Sequence, residues 1–197
     1  MPVVVTGLLT GLSIIVAIGA QNAYLLRQGL TRNHVAIVIT ICVLSDMLLI
    51  GLGVAGVGSL VRQHPAAVTV VTWLGVAYLA GYGLVSLWRA RRPGRLEAAS
   101  GHRASRRTVV TTTLALTYLN PHLYLDILLL GSIATTYGDD RWWFAGGVWL
   151  GSLLWFTGVG LGAHAAAPHL ARPGTWRVLD VLIGLVMLGL AIRLALP

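Results

Sequence analysis

Lysine is missing from this chain, and acids are nearly so. All fourteen basic residues are arginine, they face only six Asp and Glu, and charged residues are 10% of the 197 positions. Soluble domains carry about a quarter charged residues, so an ordinary water-facing surface is excluded. The one cysteine, Cys42, rules out an internal disulfide and, set in an apolar run, reads as a small hydrophobe. Enzyme signatures are lacking too: there is no HExxH, no phosphate-cradling glycine loop and no credible Ser/His/Asp set. Without a nucleotide-binding loop, a self-contained ATP-driven pump is excluded. His64, His102 and His169 have no metal-ligand spacing, and nothing in the chain asks for a metal or another cofactor.

What is present is hydrocarbon, with 56% of the residues hydrophobic. A bilayer span needs about 20 apolar residues, and six stretches qualify: 3–26, 35–61, 66–88, 108–136, 142–166 and 176–196. No basic residue precedes the first run, so it is not read as a cleaved signal peptide. The expectation is an all-α, polytopic membrane protein: one transmembrane domain over 1–197 with six transmembrane helices.

The net charge of +8 is concentrated on one side of that arrangement. Arg89, Arg91, Arg92, Arg95, Arg103, Arg106 and Arg107 surround the loop 90–107. Arg27, Arg32, Arg172 and Arg177 lie in two connections on the same side, leaving Arg62, Arg141 and Arg193 opposite. The positive-inside rule places the eleven-arginine side in the cytoplasm and both termini outside. No aromatic residue interleaves the loop charges, which argues against a nucleic-acid partner. Trp142 and Trp143 fit an outer aromatic belt, and Trp88 and Trp176 an inner one.

Two halves share a pattern. Ser45 precedes Gly51-Leu52-Gly53 at the spacing by which Ser152 precedes Gly158-Val159-Gly160. Gln21-Asn22 interrupts the first span and Asn120-Pro121-His122 the fourth, leading into Tyr24-Leu25 and Tyr124-Leu125. Three spans per copy force the second copy to enter from the opposite face. The result is a 3+3 inverted repeat with halves of about 1–89 and 108–197, a transporter architecture suited to alternating access. Pro121 cannot donate a backbone hydrogen bond, so it is expected to break its helix where a cavity tolerates open backbone; Gly19 is expected to loosen the first span.

Two carboxylates fall inside apolar runs: Asp46, near mid-depth, and Asp126, in the outer half. A carboxylate at bilayer depth costs roughly 3 kcal/mol on insertion scales. No arginine is expected at mid-membrane to neutralise them, so a transported cation or a proton is the natural partner. Structural alternatives stand beside that reading. Asp46 could bond Ser or Tyr hydroxyls, and Asp126 could pair with His122 at i, i+4 spacing. Gln21 and Asn22 could bind a substrate's amino and carboxylate groups or act as interhelical glue. Asn120 completes a polar lining, Tyr24 and Tyr124 offer cation–π faces, and Asp180 reads as a surface charge near Arg177.

Three segments carry a resemblance. They are Ile18-Gly19-Ala20-Gln21-Asn22-Ala23 with Arg27-Gln28-Gly29, Cys42-Val43-Leu44-Ser45-Asp46, and Leu119-Asn120-Pro121-His122-Leu123-Tyr124-Leu125-Asp126. Together they resemble the LysE family of bacterial basic-amino-acid exporters, in particular its arginine-exporter branch. The resemblance implies export of L-arginine or L-lysine across the inner membrane, driven by the proton motive force. Asp46 and Asp126 would receive the substrate's cationic groups, with Gln21, Asn22, Asn120, Tyr24 and Tyr124 around them. A carboxyl away from water holds a proton more readily than a charge, so Asp46, Asp126 and His122 would couple export to protons. The rival readings are export of other small amino acids and a cation channel using the same aspartates. Substrate, protons and lipid bilayer are the implied partners, and a homo-oligomer stays open.

Overall fold

A computed structural model describes residues 2–16, 19–56, 65–91, 104–168 and 173–196. Among them every regular element is helical: α1 (Val3–Ile15), α2 (Ala20–Leu30), α3 (Val35–Val54), α4 (Pro65–Ala90), α5 (Arg106–Tyr118), α6 (Pro121–Thr135), α7 (Arg141–Ala166) and α8 (Pro173–Ala195). A 3-10 turn, Gly138–Asp140, leads into α7. By length and apolarity three helical segments can cross a membrane, namely α3, Gly138–Ala166 and Arg177–Ala195; the α1–α2 pair adds a fourth if it counts as one bent span.

The first and fourth expected spans are therefore not continuous helices. α1 and α2 meet at 84°. Gly19 is extended at φ −108°, ψ 177° and opens α2. Just beyond it, the Asn22 side-chain amide donates to the Ile15 carbonyl at 3.0 Å, a partner for a carbonyl at a helix end where none exists within the helix. The fourth span divides at Asn120, and Pro121 is the first residue of α6. At that position proline has no amide bond to lose, and its fixed φ already suits a helix. The end of the expected 35–61 span and most of loop 90–107 lie outside the described residues.

Without water between helices, association depends on close packing, which small residues permit. Gly7 and Gly11 of α1 lie against Phe144 and Val148 of α7, while Gly147 and Gly151 of α7 lie against Val4, Leu8 and Leu12 of α1. Two Gly-xxx-Gly faces thus meet. A methyl group on Gly7 would strike the Phe144 carbonyl, and one on Gly147 the Val4 carbonyl. Gly53 of α3 meets Ile127 and Gly131 of α6 in the same manner, and Gly83 of α4 meets Gly184 and Leu188 of α8.

α1 and α2 both rest on α7, α5 and α6 both contact α3, and α3 also contacts α7. α4 and α8 pair with each other. The surface is apolar, with Leu44, Leu48, Leu154 and Leu182 each more than half exposed, while Ser45, Asp46, Ser86, Thr113, Thr117, Ser152 and Asp180 are buried within a mainly apolar core. A bundle with so apolar an exterior suits lipid, and the chain is a multi-pass membrane protein.

Candidate functional site

The two broken spans place their breaks beside a cavity of about 280 Å³, close to the lower end of small-ligand pockets (roughly 300 Å³). Each of the eight helices contributes to its lining. From the first break come Gly19, Ala20, Gln21 and Asn22; from the second come Leu119, Asn120 and Leu123. Asp46 of α3 and Asp126 of α6 both line it, and both also line an adjoining hollow of about 40 Å³. The carboxylates, 80 residues apart in sequence, lie within electrostatic reach of each other.

The aspartates differ in surroundings. Asp46 is 8% exposed, and its Oδ2 accepts a hydrogen bond from the Ser152 hydroxyl at 2.7 Å. Ser152 is fully buried on α7, so this bond joins α3 to α7. A buried carboxylate with one hydrogen-bond donor is only partly compensated, since an ionised carboxyl accepts at about four sites. Asp126 is half-buried, and no ion pair joins it to a described residue.

The other expected site residues divide. Asn22 lines the cavity, but its side chain is engaged structurally: it donates to Ile15 and accepts from the Trp155 indole at 3.3 Å. The Gln21 side-chain nitrogen is buried without a hydrogen-bond acceptor among the described residues. The Cys42 thiol interacts with Gln21, but a thiol accepts weakly. Asn120 lines the cavity at the second break. Tyr24 and Tyr124 are not among the lining residues. Tyr24 is buried edge-on against Tyr82, with ring centroids 6.1 Å apart, and the Tyr124 hydroxyl donates to the Tyr118 carbonyl at 2.8 Å. The aromatic hydroxyl residue on the cavity wall is Tyr78 of α4. The side chains of Pro121 and His122 lie outside those described, so the His122–Asp126 pairing falls there too.

Two arginines are not where the sequence suggested. Arg27 belongs to the last turn of α2, and its guanidinium lies 3.5 Å from Asp180 and 3.4 Å from the Tyr82 hydroxyl. Asp180 is therefore a buried ion-pair partner, 3% exposed at its side chain, rather than a surface charge. The folded bundle brings α2 against α8, a juxtaposition that sequence neighbours such as Arg177 do not reveal. Arg193, near the end of α8, lines the cavity with the two aspartates. Arg193 is exposed in the last turn of that helix and forms no ion pair with either aspartate among the described residues.

Comparison with known proteins adds to this geometry. A family model described as LysE type translocator matches residues 12–197. A lysine exporter of Corynebacterium diphtheriae is 38% identical, with 98% of this chain and 99% of the relative covered. An arginine exporter of Pectobacterium carotovorum is 39% identical, with 96% and 94% covered. A protein of Aeromonas salmonicida that bears a provisional amino-acid-transporter name is 41% identical, with 96% and 93% covered. No solved structure matches the chain.

Proposed function

The chain belongs to the LysE family of translocators, and from that premise we propose that it exports basic L-amino acids, arginine or lysine, across the bacterial inner membrane by exchange for protons. The observation that carries this reading is the shared cavity of Asp46 and Asp126. Two acids at one internal hollow suit a substrate with two cationic groups, its α-ammonium and its side chain. Gln21, Asn22 and Asn120 add polar wall. The relatives named as lysine and arginine exporters stand at nearly equal identity, so the choice between the two substrates is left to experiment.

Proton exchange follows from the same burial. A carboxyl out of water is costly as a bare charge and is relieved by either a proton or a cation. Substrate arriving from the cytoplasm displaces protons; protons arriving from outside release substrate. Asp46 and Asp126 are the coupling acids in this scheme, with His122 as a candidate relay.

The topology proposed is six spans in a single domain, with halves of about 1–89 and 108–197 related as an inverted repeat. Its support is the corresponding packing of the limbs, α1 and α2 on α7 and α5 and α6 on α3, together with a helix break opening each half. Pro121 and Gly19 act as the hinges about which the limbs tilt, and broken helices beside a midplane site are how inverted-repeat transporters open to either face. The arginine-rich connections set the cytoplasmic side and put both termini outside.

Proteoliposomes with an imposed pH gradient test the reading. Saturable movement of labelled arginine or lysine against its own gradient, abolished by a protonophore, is expected. Flux that does not saturate and ignores the pH gradient would favour a cation channel instead.

A further inference from the structure

The cavity holds a third charge that two cation-binding acids leave unexplained. Arg193 projects from the last turns of α8, lines the same wall as Leu190 and Leu194, and forms no ion pair with Asp46, Asp126 or any other described carboxylate. Arg27, by contrast, is held by Asp180. Arg193 is exposed, borders the cavity and bonds to neither acid, so its guanidinium fork is available to a ligand.

The charges of the lining mirror those of one ligand class. A basic amino acid carries two cationic groups and one carboxylate; the cavity offers two carboxylates and one guanidinium. We propose that Arg193 is the α-carboxylate subsite, so that the protein selects basic amino acids over the corresponding amines that lack a carboxylate. This rests on the exporter reading above and goes beyond it by assigning the substrate's orientation. The guanidinium presents a planar fork that matches a carboxylate with two parallel bonds. The buried Gln21 amide nitrogen, which has no strong acceptor among the described residues, supplies a further donor on the same lining. Asp46 and Asp126 then take the ammonium and the side-chain cation.

Agmatine is arginine without its carboxylate, which makes the pair a direct probe. Binding of labelled arginine, labelled lysine and labelled agmatine to the purified full-length protein is measured for the parent, Arg193→Gln and Arg193→Lys. The parent is expected to bind arginine at least about tenfold tighter than agmatine, the size of a charge-assisted bond. Arg193→Gln should weaken arginine by about tenfold or more and leave agmatine within about twofold, since agmatine never used the guanidinium. Its retained agmatine affinity also reports that the variant is folded. Arg193→Lys keeps the charge but not the fork and should fall between. A parent that does not discriminate, or an Arg193→Gln variant that keeps the parental ratio or loses both ligands equally, overturns the carboxylate subsite and leaves the exporter reading intact. A parent that binds neither arginine nor lysine overturns both.

Discussion

Ser152→Ala removes one hydroxyl, and the size of its effect separates a working carboxylate from structural glue. The hydroxyl is fully buried and donates to Asp46 at 2.7 Å. If Asp46 is charged when substrate is bound, the lost bond is of the charged kind, worth about 1.5–3 kcal/mol. Affinity for arginine then falls by about 10- to 150-fold, at 1.4 kcal/mol per decade. If the pair is only a neutral interhelical bond, made alike with and without substrate, its average of about 0.6 kcal/mol falls on stability and the affinity changes by no more than about threefold. The assay is apparent arginine affinity in proteoliposomes for Ser152→Ala, Asp46→Asn and the double variant. Residues in one network are not additive, so the serine change should add nothing once Asp46 is Asn. A loss of threefold or less that adds fully to the Asp46→Asn effect would refute the charged-carboxylate reading.

Three further outcomes concern stability and packing. Asp180→Ala strands the Arg27 guanidinium and should destabilise the detergent-solubilised protein by about 3–5 kcal/mol, whereas Arg27→Met with Asp180→Leu recovers much of that loss; equal melting of parent and Asp180→Ala would contradict a structural ion pair. Gly147→Val pushes side-chain carbons into the Val4 carbonyl and the Leu8 amide and should cost about 1–3 kcal/mol or more. The adjacent Gly146→Ala, with open space around its added carbon, should melt with the parent. Asn22→Ala removes the partner of the Ile15 carbonyl at the first break, and a loss of about 1 kcal/mol in thermal unfolding is expected.

Much of the helical plan was legible because lipid imposes a simple rule: long apolar runs separated by polar breaks. The limits of α4, α7 and α8 fall within a few residues of the expected spans. The two acids were conspicuous for the opposite reason, as charges where hydrocarbon was expected, and the bundle brings both to one cavity. Pro121 and Gly19 marked where backbone would open, but composition alone could not say that the first span bends by 84°, since the angle depends on what α2 packs against. Tyr24 and Tyr124 illustrate a different limit. Their spacing in the two halves drew attention, yet each side chain turns to a local partner, Tyr82 or the Tyr118 carbonyl. Rotation of a helix about its axis is set by its neighbours, not by the sequence around one residue. The same limit hid Arg193 and Asp180. Both lie near span ends, where the usual reading is an interface charge; the contact between helices far apart in sequence turns Asp180 inward, while Arg193 stays exposed at the cavity's rim.

The most direct measurement compares arginine export by four proteins in proteoliposomes under one pH gradient: the parent, Asp46→Asn, Asp126→Asn and the double variant. A single site that needs both acids predicts that each single change removes most of the transport and that the double is no worse than the more damaging single, because groups acting as a unit are not additive. Export at the parental rate by either single variant would contradict it.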